Sequence, residues 1–397
     1  MDVLISGAGI AGPTLAWWIV RQGHTVTMVE KASAPRTGGY VIDFWGKGYE
    51  LAERMGLLGQ IEAVGYKVRE VRLLASDGHK VGGFPATVFD RATQGNFTSL
   101  PRGELARILN AAVAGDVETL FGQEVTALSE DAGGVDVTLS NGETRRVDLV
   151  VGCEGIHSQV RDLVFGPEQQ FERYLGYAFA ALILPDFPVR DEDVYLLHGV
   201  PGKSAARFSL RDGSTLALLI WKEADGDAIP HDPESQRAFL RDRFGDCRWE
   251  VPAMLARLEL ARDIYFDRVS QIEIDRWHKR RIALLGDAAF APSFLAGQGS
   301  ALAMIGAYVM AGEFEQAHGD IAAGLAAYQA RLMPFMRAKQ KAARGMAGSF
   351  VPSTRIGLAL RALVSHLLGI GPVADMFIGP SVRDKIELPD YGMATSR

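Results

Sequence analysis

A mixed α/β fold is predicted, with a Rossmann-like nucleotide-binding domain, an inserted β-rich domain and a C-terminal helical segment. Three features predict it. A glycine-rich turn joins a strand to a helix at the start of the chain, short β-branched segments recur from 117 to 274, and the pattern from 300 onward is helical.

DVLIS (2–6) is a short apolar strand, followed at once by GAGIAG (7–12). The helical stretch PTLAWWIVRQG ends on Gly23, a residue suited to a C-cap, and TVTMVE (25–30) alternates as a second strand. Together they make a βαβ unit. GELARILNAAVA (103–114) has helical spacing. VETLF, VTALSE, VDVTLS and ETRRVDLVVG follow as strands, with Asn141-Gly142 marking a hairpin. A second β-rich series comprises YLGYAFAALIL, VYLLHG, AARFSL, STLALLIW and IYFDRVSQIEI, with a turn at 211–214 and one helix, PESQRAFLRDRFG (233–245). RIALLG (281–286) is another strand, and Gly297-Gln298-Gly299 opens a helix. Breaks fall near 348–352 and 369–372. The nucleotide-binding domain is therefore expected over 1–70, 100–165 and 275–345, and the β-rich substrate domain over 71–99 and 166–274. Residues 346–397 form the C-terminal helical segment.

A chain of 397 residues is too long for one ordinary domain. Its 48% hydrophobic and 23% charged residues are those of a globular protein, and the net charge of −6 argues against nucleic acid as a partner. Cys153 and Cys247 lack metal-ligand spacing, so no metal site is expected and a reduced, cytoplasmic setting is. MDVLISGAGIAG has no basic n-region and does not read as a signal peptide. IGLALRALVSHLLGIG (356–371) contains Arg361 and His366 and is too short to span a bilayer, so a docked amphipathic helix is expected. A monomer or weak dimer completes this picture.

The chemistry begins at GAGIAG. Gly7 permits the tight turn, Gly9 lets a pyrophosphate approach the backbone, and Ala11-Gly12 pack helix on strand, which leaves the phosphate at the positive helix end. Glu30 ends the second strand, where an acid can bind a ribose hydroxyl, and Lys31 follows it. Asp287 is the only charge in GDAAFAPSFLAGQGSALA (286–303), at the end of an apolar strand, and such a carboxylate needs a partner or water.

DLVVGCEGIHSQVR (148–161) and RIALLGDAAFAPSFLAGQGSALA (281–303) resemble the paired DG and GD motifs of group A FAD-dependent monooxygenases, the relatives of para-hydroxybenzoate hydroxylase. LPRGEL (100–105), with Arg102, resembles that family's helix-start arginine. The motifs stand in the family order across residues 1–345. EKASAPRTGGYVIDF (30–44), IYFDRVSQIEI, LLGDAAF and GAYVMAGEF (306–314) look most like the tetracycline-inactivating flavin monooxygenases.

The resemblance implies non-covalent FAD, a nicotinamide donor (NADPH or NADH), and oxygen transfer from O₂ to an aromatic or polyketide-like small molecule through a flavin C4a-hydroperoxide. A tetracycline-like antibiotic falls within that class. It implies that Asp287 holds a ribityl hydroxyl, that Arg102 contacts FAD, that Asp43 lies beside it, and that backbone at Val125 meets the adenine. Gly297, Gly299 and Ser300 bring a helix N-terminus to the flavin's pyrimidine edge, where reduced flavin is anionic. Arg36 corresponds to a nicotinamide-cofactor contact. Pocket candidates are Tyr177, Phe179, Phe208, Phe290, Pro292 and Phe294. The chain departs from the family at Glu154 (usually aspartate), Phe290 (histidine or tyrosine), Phe294 (proline), Ser300 (asparagine) and Gly306 (aspartate). A reductase of the geranylgeranyl-reductase type and a non-catalytic FAD-binding regulator are the alternatives; the WxWxIP motif of flavin halogenases is absent. The apolar face of 356–368 is expected to pack across the domain junction and help cover the active site.

Overall fold

A computed structural model describes residues 1–35, 40–224, 229–369 and 384–393. Its centre is a six-stranded sheet ordered His278–Lys279, Ile282–Leu284, Leu149–Gly152, Asp2–Ser6, Thr25–Glu30, Glu118–Phe121. All neighbours are parallel except the first pair. LVVG is buried at every position, as a central parallel strand covered on both faces requires. Helix Ala11–Arg21 packs on this sheet beside helix Gly299–Gln316. The latter is apolar around its circumference and accordingly sits inside the molecule, between Ala11–Arg21, Lys47–Arg54 and the long helix Ile321–Phe350.

The segments 125–147 form a separate antiparallel three-stranded sheet, Val125–Glu130, Val135–Leu139 and Thr144–Val147. Gly142 at φ 85° turns its hairpin. The second β-rich series builds a seven-stranded sheet ordered Arg262–Ile272, Glu172–Leu184, Thr215–Lys222, Lys203–Ser209, Val194–Val200, Glu70–Leu74, Lys80–Pro85. Phe97–Pro101 pairs instead with Val41–Trp45 in a two-stranded ribbon. That ribbon adjoins the seven-stranded sheet: Ser99 and Asp43 come from it, and Tyr195 reaches Asp43 from that sheet at 3.1 Å.

The C-terminal helix Arg355–Leu367 differs from expectation. It lies on strands Lys80–Pro85 and Val194–Val200 through its small and polar face. Ser365 Oγ accepts from Gly83 N at 2.8 Å, and a Cβ at Gly82 would stand 3.1 Å from Ala362 Cα. The apolar stripe Ile356, Leu360, Leu363 and Leu367 points outward instead of across the domain junction. Close approach to Gly82 and Gly83 is made by Ala362 and Ser365, while Leu358 and Arg361 reach the sheet over Gly199. No helix among the described residues is long and apolar enough to cross a membrane.

Residues 384–393 run back over the nucleotide-binding half as a strap. Tyr391 is buried against Gly312 and Tyr308, its hydroxyl donating to Glu313 at 2.6 Å, while Tyr308 donates to Pro389 O at 2.7 Å. Tyr391→Ala is expected to cost about 3 kcal/mol, by cavity formation and loss of one of the bonds to Glu313, which keeps its pair with Arg331. Denaturant titration reads that loss; a loss under about 1 kcal/mol would mean that the strap is not held by this ring.

Candidate active site

The fingerprint turn carries its three glycines for three local reasons. Gly7 has φ +107°, and a Cβ there would stand 2.5 Å from Cys153 O. A Cβ at Gly12 would overlap the carbonyl of Gly7. Gly9 is different: within 4 Å its Cβ would meet only Arg102 Nη2, at 3.9 Å. The first and third glycines are thus demanded by the polypeptide, whereas the second keeps space open in front of an arginine. Helix Ala11–Arg21 has no side-chain N-cap and no acid in its first turn, so its leading N–H groups remain available to an anion.

Glu30 closes the other side. Its carboxylate accepts from Ala8 N at 2.9 Å and Ala32 N at 3.0 Å, which fixes it beside the glycine turn. Next to it lies a recess of about 400 Å³ lined by Lys31, Ala32, Gly122, Gln123, Glu124 and Ser140. Val125, buried in its strand, follows directly in sequence.

Asp287 opens the short helix Asp287–Phe290 behind Gly286, whose φ of +67° makes the turn out of strand Ile282–Leu284. A Cβ at Gly299 would be 3.6 Å from Asp287 Oδ1, and Arg102 acts on the same carboxylate electrostatically. Residues 9, 102, 287 and 299, from four separate segments, therefore meet. The buried Arg161 ties two of the motifs together by donating to Ala288 O at 3.2 Å and Ile156 O at 2.7 Å. Helix Gly299–Gln316 likewise starts without a side-chain cap or first-turn acid. Ser300 stands in its first turn and Gly297, at φ +65°, just before it.

Asp287, Asp43 and Glu154 all have carboxyls displaced upward from their ordinary range, burial being the largest cause in each. Arg102 opposes the shift at Asp287; Ser99 Oγ at 2.5 Å and Tyr195 at 3.1 Å oppose it at Asp43. A carboxyl whose folded-state value exceeds its unfolded value contributes stability present below the unfolded value and lost as pH rises through the folded one. At pH 8, well above the ordinary carboxylate range, this upward displacement makes Asp287 a cost to the apoprotein. Asp287→Asn is expected to stabilise the apoprotein at pH 8, with the gain shrinking on acidification. Thermal unfolding across pH checks it, and a pH-independent difference would contradict it.

The buried Glu154 carboxyl is engaged by neighbouring groups, Ser6 among them. Its carboxylate accepts from Ser158 Oγ at 2.6 Å and Val160 N at 3.2 Å, bracing the helix Gln159–Val164. The extra methylene relative to aspartate supplies that reach.

The aromatic candidates divide. Phe179 and Phe294 stack at 3.9 Å, and Tyr40 and Tyr265 join them, with Tyr40 at 5.0 Å from Phe294 and Tyr265 at 5.5 Å from Phe179. Tyr40 is in the field of Arg102 and Asp287, and its carbonyl accepts from Arg102 N at 3.0 Å, so this cluster adjoins the charged centre. Tyr177 packs at its edge with Phe350 and Leu295. Phe208 belongs to the neighbouring group with Tyr66 and Tyr195. Pro292 is buried, its carbonyl held by Gln271 at 2.7 Å. Phe290 is no pocket residue: it lies in the core 4.9 Å from Trp277, in space that Gly306 leaves open. Arg36 lies outside the described residues. Tyr40 and Tyr265 were missed by sequence reasoning; alternation in IYFDRVSQI could have marked Tyr265 as sharing a face with Asp267, to which its hydroxyl donates at 2.9 Å.

The sequence model of the FAD binding domain family matches residues 1–339. The chain belongs to that family. A flavin-dependent monooxygenase of Legionella longbeachae is 31% identical over 402 residues, covering 98% of both chains. A second, from an unidentified prokaryote, is 32% identical over 396 residues with 98% of each chain covered. Among solved structures, the tetracycline destructase Tet(55) superposes with a TM-score of 0.83 at 28% identity over 98% of each chain. The protein is a flavin-dependent monooxygenase of the FAD-binding-domain family, with FAD as its cofactor.

Proposed function

We propose that this chain uses NADPH or NADH and O₂ to hydroxylate a planar aromatic or polyketide-like molecule. The observation that carries the reading is the placement of the Tyr40–Phe179–Tyr265–Phe294 cluster against the Arg102–Asp287 centre. FAD fits the residues present. Gly9 keeps a phosphate-sized approach clear before Arg102, two uncapped helix starts face anions, and buried Gln298 Nε2 and Ser293 Oγ have no partner among the described residues.

In this reading Glu30 holds the adenosine ribose, the recess at Lys31 takes the adenosine end beside Val125, Arg102 meets the pyrophosphate, and Asp287 accepts from a ribityl hydroxyl. Bound FAD supplies hydride acceptance from the nicotinamide and activation of O₂. The protein's own part is to orient the ring face and exclude water, for which the four aromatic rings serve as the wall. Tyr265 is kept from free rotation by its bond to Asp267. Asp43, buried and held by Ser99 and Tyr195, would be close to the flavin. The likeness to a tetracycline destructase makes tetracycline-like polyketides the first compounds to try.

The experiment is a screen of NADPH and NADH oxidation against aromatic compounds, tetracyclines included, with O₂ uptake recorded in parallel. Oxidation accelerated by a substrate and matched by O₂ uptake is expected. Turnover of a double bond that proceeds equally well without oxygen would transfer the protein to the reductase reading.

A further inference from the structure

Gln298 lies between Gly297 and Gly299 and is 5% exposed. Its side chain is anchored at one end: Oε1 accepts from Lys339 Nζ at 2.9 Å. Lys339 comes from the long helix Ile321–Phe350 and forms an ion pair with Asp384 Oδ1 at 2.7 Å. Asp384 is the first described residue of the C-terminal strap, its side chain 3% exposed, and its other oxygen accepts from Lys47 N at 2.9 Å. The strap is held farther along by Pro389, Tyr391 and Met393, the last accepting from Gln22 Nε2 at 3.0 Å.

This arrangement fixes which way the Gln298 amide points. The two ends of a planar carboxamide are opposed, so a cation on Oε1 turns the NH₂ away from Lys339 and Asp384. That NH₂ is buried and has no partner among the described residues. A buried donor held by a buried ion pair, in the loop that precedes the helix start nearest Asp287, calls for an acceptor brought by a ligand. The oxidised pyrimidine ring of a flavin offers carbonyl oxygens and a ring nitrogen of that kind.

We propose that the Gln298 carboxamide donates to the pyrimidine edge of FAD, and that Lys339 and Asp384 are positioning residues that set its orientation from the C-terminal strap. The proposal rests on the FAD site derived above. It gives the strap a part in cofactor binding that the helix Arg355–Leu367, on the far sheet, does not share. Deleting the chain after Ser353 would therefore disturb FAD retention as well as any cover.

The test is a double-mutant cycle read by FAD titration of the apoprotein and by the visible spectrum of the holoprotein. Gln298→Leu is expected to weaken FAD about tenfold and to shift the flavin absorption bands. Asp384→Asn is expected to weaken FAD in the wild-type background and to add nothing in the Gln298→Leu background. A merely structural strap would give additive losses, and additivity overturns the proposal. So does Asp384→Asn with wild-type affinity, or Gln298→Leu with wild-type affinity and spectrum. Gln298→Leu leaves the Lys339–Asp384 pair in place, so it decides the matter even if Asp384→Asn fails to fold. Failure of wild-type protein to bind FAD would instead strike the site assignment itself.

Discussion

Gly9→Val is expected to leave the apoprotein folded and to remove FAD from it. The backbone at Gly9 is not left-handed, and the nearest atom to a new Cβ is the end of the Arg102 side chain at 3.9 Å, a flexible group that can yield to the branch. In the proposed site the pyrophosphate would not yield, because its approach to the helix start would run through that space. A loss of more than about 100-fold in FAD affinity is expected, equivalent to about 3 kcal/mol. Gly7→Ala and Gly12→Ala provide the contrast. Each collides with backbone, and Gly7 also has φ +107°, so both should reduce apoprotein stability by about 3 kcal/mol or more. Unfolding curves and FAD titrations on the three variants separate the two kinds of damage. Equal destabilisation of the apoprotein by all three would contradict the assignment of Gly9 to the ligand.

Gly306→Asp, which restores the aspartate common in the family, is expected to destabilise the protein by more than about 3 kcal/mol. A Cβ at 306 would lie 2.8 Å from Leu285 Cδ1 and 2.9 Å from Phe290 Cζ, and a carboxylate would enter the core beyond it. Phe290 and Gly306 are thus one adaptation: the ring that replaces histidine or tyrosine occupies the volume that the missing side chain leaves. Gly306→Ala combined with Phe290→Leu should cost less than the sum of the two single changes. Additive losses by denaturant titration would show that the two positions do not share that space.

The nucleotide half was legible because its chemistry is local. GAGIAG, Glu30 and the GD segment each carry a backbone demand that shows in a few consecutive residues, and Asp287 betrays itself as a charge in an apolar run. The run of strands after 117 was legible as strands but not as sheets: Glu118–Phe121 and Leu149–Gly152 join the central parallel sheet, whereas the three strands between them form a separate one. Partner choice is a long-range matter that alternation alone does not encode. The same holds for the site. Tyr265 is brought to Phe179 by pairing between strands remote in sequence, Tyr40 and Phe294 join them from outside any strand, and nothing around Asp384 in the sequence points to Lys339 or Gln298. The helix Arg355–Leu367 misled for a definite reason. Its apolar stripe is real, but Gly82 on the receiving strand is matched by Ala362 and Ser365, on the opposite, smaller face of the helix.

Oxygen transfer is the central claim, and isotope labelling tests it most directly. Purified holoprotein, NADPH and the compound that most accelerates NADPH oxidation would be incubated under ¹⁸O₂, and the product weighed by mass spectrometry. The account predicts a product carrying one labelled oxygen atom, formed only when O₂ is present. A product of unchanged oxygen content, or one whose new oxygen comes from water, would contradict it.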